Sequence, residues 1–181
     1  GTTVDAGPTA WTRTLGVVPP TSAQVNAGQF EVVGSNNGSM IWASQSINIA
    51  AFPTGVNLSA NLNKTGANYV NNDTLKIFYS INGGPKVLFP VNGNNIGNWA
   101  APRFATATGL IGNTIQIYIH ARFNNNNNST GKTFFADMVN VYSNTFVANS
   151  SPYFNALPPL LLCATNSFTL NQSATDVDGD V

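Results

Sequence analysis

Charge is scarce in this sequence. Charged residues are 8% of the 181, against about 25% in an average soluble domain. Seven basic residues balance seven acidic ones. No basic patch points to nucleic acid, and no acidic block points to a solvating tail. Cysteine is all but missing. Cys163 stands alone, so no internal disulfide forms, which excludes a small disulfide-stapled scaffold. Its neighbours Leu160, Leu161 and Leu162 mark it as a buried, inert thiol. No apolar run is long enough to span a bilayer. The chain opens on Gly1 with no charged n-region or apolar h-region, which reads as a mature or excised segment. Histidine occurs once, as His120, on the polar phase of a strand with no acid beside it, and nothing looks like a nucleophile elbow. Only Asp5, Glu31, Asp73 and Asp137 precede residue 150, so the facing carboxylates of a glycosidase are not signalled. The expectation is a protein that is not an enzyme.

What the chain does hold is asparagine, about one residue in seven, and alternation. GVNLSANL (55–62) alternates Val56, Leu58, Ala60 and Leu62 with polar partners. TLKIFYSI (74–81) alternates Leu75, Ile77, Tyr79 and Ile81. NTIQIYIHARF (113–123) alternates Ile115, Ile117, Ile119 and Ala121 with Gln116, Tyr118, His120 and Arg122. Period two over such lengths predicts strands with one face in a core. Further strands are predicted at 29–33, 39–49, 85–91 and 133–143. Between them lie SNNG, NGG, NGNN and NNNNNSTG, all turn chemistry. Asn82 and Gly83 in INGGPK suit a tight primed hairpin, because both tolerate positive φ. No stretch shows a helical period. The fold class is therefore all-β, an antiparallel sandwich of jelly-roll type with an extended C-terminal β segment.

A boundary is expected near residue 150. Residues 1–150 hold every Lys and Arg and four acids, a net +3, and residues 151–181 carry −3. The segment NSSPYFNALPP (149–159) reads as a proline-punctuated connector. The tail beyond it is too short for a sandwich of its own, which needs about 100 residues. Yet it carries Tyr153, Phe154, Leu157, Leu160, Leu162, Phe168 and Leu170. Such side chains need cover, from a following repeat or from another copy that accepts the tail as an added strand.

The runs MIWASQSINI, VNLSANL, NDTLKIFYSINGGP, LIGNTIQIYIHARF and FFADMVNVYS together resemble a jelly-roll module of large secreted, adhesin-like surface proteins of Bacteroidota. Such modules carry a W-x-S strand, a D-x-L-x-V-x-Y-x-x-D-G-G hairpin and a closing F-D-N-V-x-V strand. This chain departs from them at Asn82, where Asp is usual, and at Met138, where Asn is usual. The tail, ending in ATDVDGD, resembles the opening of a cadherin-like or PKD-like repeat. The resemblance implies an extracellular or cell-surface module for adhesion or carbohydrate binding. It implies a glycan or surface ligand as partner. The alternative is a filament subunit that assembles with other copies of itself through the tail.

Three groups of candidate residues follow. Asp137 shares the phase of Phe135, Val139 and Val141, which points it toward the core side. A carboxylate there needs a cation or donors. Calcium held by Asp137, Glu31 and carbonyls would serve, as would an arginine such as Arg13, Arg103 or Arg122. Asp176, Asp178 and Asp180 are not an EF-hand, whose glycine stands sixth; Gly179 is fourth. The repeat resemblance makes them an inter-repeat calcium turn, and a solvated Asx turn is the plainer reading. Trp42 belongs to the core. Trp99, in a loop with Asn95 and Asn98, offers a sugar-stacking platform flanked by amides, or else covers one edge of the sandwich. DTL (73–75) matches a short O-glycosylation pattern associated with Bacteroidota.

Overall fold

The computed structural model describes residues 9–124 and 131–144, with the backbone of two short strands at 153–154 and 174–175. The chain divides into two compact units, Gly1–Thr145 and Phe146–Val181.

The first unit contains twelve described strands. They are β1 (Trp11–Leu15), β2 (Ser22–Asn26), β3 (Gln29–Val33), β4 (Ser39–Ser44), β5 (Ile47–Asn48), β6 (Val56–Thr65), β7 (Thr74–Ile81), β8 (Val87–Leu88), β9 (Asn94–Ile96), β10 (Arg103–Leu110), β11 (Thr114–Arg122) and β12 (Thr133–Ser143). One sheet runs β10-β6-β12-β3-β2. The other runs β1-β4-β11-β7-β8, with β5 on β11 and β9 on β7. From β3 onward the chain passes repeatedly from one sheet to the other, so sequence neighbours seldom pair. That is jelly-roll topology. Among the described residues no helix is long and apolar enough to cross a membrane.

Alternation builds the core as expected. Ile115, Ile117, Ile119 and Ala121 of β11 face Val56, Leu58, Ala60 and Leu62 of β6 in one buried cluster. Trp42 joins it, with Phe30 at 4.9 Å and Trp11 beyond at 4.8 Å from Phe30. Phe123 stacks on Phe134 at 4.9 Å. The hairpin at Asn82 and Gly83 has φ of 51° and 70°, as a primed turn demands. Asn82 also ties its turn to the start of β11. Its Oδ1 accepts the Asn113 and Thr114 amides at 2.8 and 3.0 Å. Two strands come out shorter than expected. The 39–49 run breaks into β4 and β5, and 85–91 keeps only Val87–Leu88.

The first residue of the DTL triplet has a structural part. Asp73 is wholly buried and pairs with buried Lys132 at 2.8 Å. Its oxygens also accept the Val70 and Asn124 amides, each at 2.8 Å. Tyr69 closes this layer, accepting the Thr133 amide at 3.0 Å and packing on Phe134. Burial raises the Tyr69 phenol above its ordinary range.

The second unit is described only as β13 (Tyr153–Phe154) paired antiparallel with β14 (Ala174–Thr175). The assembly candidates Leu160, Leu162, Phe168 and Leu170, the acids Asp176, Asp178 and Asp180, and Cys163 lie outside the described residues.

Candidate functional site

A groove of about 370 Å³ crosses the outer face of the five-stranded sheet. Strand phase puts its residues there. In β6 the apolar set points inward, so Asn61 and Asn63 point out. In β10, Ala105 and Ala107 point inward, so Phe104 points out and is 54% exposed. Pairing across the sheet then assembles a row: Phe104 opposite Asn61, and Asn61 opposite Asp137. Gln29 completes it by donating to Asp137 Oδ2 at 3.1 Å. The next row sets Asn63 opposite Phe135. Gln29, Asn61, Asn63, Phe104, Phe135 and Asp137 line the groove, with Arg103 at its end.

Asp137 therefore corrects the sequence reading. It does not point toward the core. In the first half of β12 the inward residues are Phe134 and Ala136, while Phe135 faces out. A β-bulge between Asp137 and Asn140 then reverses the phase, so Val139 and Val141 turn inward beyond it. Met138 sits in the bulge with φ 48°. Left-handed backbone costs an L-residue about 1–2 kcal/mol, less for Asn, which is the residue the resembled modules carry there. Asp137 Oδ1 accepts the Met138 amide at 2.7 Å. Glu31 lies on the same outer face and accepts from Gln24 at 3.1 Å and Asn26 at 3.2 Å. Neither acid pairs with an arginine; the ion pair among the described residues is Asp73 with Lys132. Nor do three His, Cys, Asp or Glu side chains converge among them. With Asp137 half-exposed and already held by an amide, burial no longer calls for a cation. Chelation is expected to leave the melting temperature unchanged, and Asp137→Asn to shift stability by less than about 1 kcal/mol. A calcium-dependent rise in Tm that Asp137→Asn removes would restore the metal.

Trp99 is the second correction. It is only 6% exposed, and Asn95 is fully buried. No sugar can stack on a ring so enclosed. Lys64 Nζ lies 5.3 Å and Arg103 Cζ 5.5 Å from the Trp99 ring centre. Asn98 is exposed, but its Oδ1 is taken by Lys64 Nζ at 2.8 Å. Burial and the nearby Arg103 charge lower the Lys64 pKa, against an upward pull from Asp73. Asn95 Oδ1 accepts Arg103 Nη1 at 3.0 Å, and the Ala100 carbonyl accepts Arg103 Nε at 3.2 Å. Trp99 and Asn95 thus form the bed that fixes Arg103 at the end of the groove.

Phe104 and the amide row went unnoticed in the sequence. The polar phase of VNLSANL carried a signal for Asn61. RFATATGL carried little, because its inward residues are alanines.

No family model matches the chain, and no curated protein matches it. Solved structures give distant likenesses. One is TmCBM61 in complex with β-1,4-galactotriose, at 14% identity over 75% of this chain and 88% of that one, with a TM-score of 0.45. A CBM4 structure is similar at 14% identity over 74% of this chain and 94% of that one, with a TM-score of 0.44. The secreted serine protease VesC from Vibrio cholerae is similar at 11% identity, covering 77% of this chain and 25% of that one, with a TM-score of 0.45.

Proposed function

We propose that this protein is a non-enzymatic glycan-binding module acting outside the cell or on its surface, where it serves adhesion. The observation that carries the reading is the row from Phe104 through Asn61 and Asp137 to Gln29 on an open sheet face. An exposed phenyl ring offers an apolar face to the C–H side of a sugar. Beside it, each amide presents a donor and an acceptor together, matching paired hydroxyls. Arg103 adds a planar cationic donor, held in place from beneath. The groove brings one carboxylate, where glycosidic cleavage uses a facing pair, so the chemistry on offer is recognition.

A glycan array probed with the full chain tests this. Hits are expected among neutral polysaccharides. Phe104→Ala should weaken them about tenfold, the worth of a lost ring contact of about 1.4 kcal/mol. Phe104→Tyr should retain them. An array without hits, or hits indifferent to both Phe104→Ala and Asn61→Ala, removes the proposal.

A further inference from the structure

The opposite face of the sandwich holds a larger groove, about 540 Å³, on the outside of the seven-stranded sheet. Its floor comes from three paired strands. His120 of β11 lies opposite Ile41 of β4 and opposite Lys76 of β7. One row on, Arg122 lies opposite Thr74. One row back, Tyr118 lies opposite Phe78, and Lys86 sits over the Tyr118 ring at 4.1 Å. Three cations therefore follow the strand direction over about 14 Å, four residues at the strand rise; Lys76 and Arg122 line the groove, and Lys86 belongs to the row beyond its lining. Lys76 and Arg122 have no hydrogen-bond or ion-pair partner among the described residues. The carboxylates described elsewhere cannot supply one. Glu31 and Asp137 lie on the other sheet, and Asp73 is buried against Lys132. The rest of the lining mixes hydroxyls and amides, from Thr14, Ser39, Thr74, Asn71 and Asn72, with apolar side chains, chiefly Leu15, Met40, Ile41 and Ile96.

We infer that this groove is a second binding site, distinct from the Phe104 face, and that it takes an acidic polysaccharide whose charge is carried by uronate carboxylates. The spacing decides the charge density. Three separated cations suit a polymer with one negative charge per sugar better than a densely sulfated one. The guanidinium of Arg122 can grip a planar carboxylate with two parallel bonds. Between charges, the hydroxyls and amides suit the sugar's hydroxyls and the apolar side chains suit its C–H faces. A nucleic acid strand fits less well. Phe78 and His120 pack on each other at 4.6 Å, which occupies the ring faces that bases would stack on.

Affinity electrophoresis of the full chain tests the inference with polygalacturonate, its methyl ester, heparin and oligo(dT) as the retarding polymers. Polygalacturonate should retard the protein, and the methyl ester, on the same backbone, should do so far less. Added salt should weaken the retardation. The double variant Lys76→Ala/Arg122→Ala should bind about tenfold more weakly, and Phe104→Ala should bind polygalacturonate as the parent does. Equal retardation by the ester, retention of binding in the double variant, or tighter binding of heparin or oligo(dT) overturns it. Because the Phe104 face is read with neutral glycans, either site can fail while the other stands.

Discussion

Asp73→Ala is expected to destabilise the first unit by about 3–5 kcal/mol, because it leaves the Lys132 ammonium buried without its partner. That is a large share of the roughly 5–15 kcal/mol by which a domain is stable. Asp73 does more than balance a charge. It receives two backbone amides, Val70 and Asn124, which belong to segments far apart in the chain. Removing the lysine as well should restore much of the loss, since an apolar pair in place of a buried ion pair is often neutral. Asp73→Ala/Lys132→Met should therefore be more stable than Asp73→Ala alone. It should still fall short of the parent, because each orphaned amide costs about 1–3 kcal/mol. Urea unfolding of the three proteins reads this directly. A single variant that loses under about 1 kcal/mol, or a double variant no better than the single, contradicts the account.

The second large effect is acid destabilisation through His120. Burial first, then the charges of Lys86 and Lys76, hold its pKa down to about 4. The unfolded chain takes its proton near 6.5. Above that value both states are neutral at this site, and His120 adds no penalty. As the pH falls from 6.5 toward 4, the unfolded state gains a proton that the folded state refuses, so stability is lost across that window. The gap between the two values corresponds to about 3 kcal/mol. The ring is only partly buried, so solvent screening reduces this to about 1–2 kcal/mol. Tyr118, Phe78 and Arg122 share its face, and of these only Arg122 is charged near this pH. His120→Gln should be less sensitive to acid than the parent by that amount. Denaturation at pH 7 and pH 4 compares them, and parallel losses would show that His120 has no part in it.

Much of the fold was legible because period-two alternation records burial locally. β6, β7 and β11 each present four inward residues in a row, large enough to read without knowing their neighbours. β10 was not legible, since Ala105 and Ala107 pack inward but carry little hydrophobic signal. Phase failed where the backbone departed from regular pleat. The bulge at Met138 reverses β12, so a rule that is sound on either side of it misplaces Asp137. Trp99 shows another limit. A tryptophan among asparagines reads as exposed, yet Lys64 and Arg103, 35 residues before it and four after, both pack on its ring.

The sequence by itself therefore determined the class of fold, the inward set of its long strands and the primed turn at Asn82. Each depends on residues close together in the chain, where pleat and turn geometry act directly. The tertiary structure alone decided the grooves and the ion pair. Jelly-roll crossing makes β3, β6, β10 and β12 neighbours, so Gln29 meets Asp137 across 108 positions of sequence, and Asp73 meets Lys132 across 59. No local pattern encodes such a meeting. It arises when two sheets close on one core, and the outward side chains take whatever neighbours that closure provides.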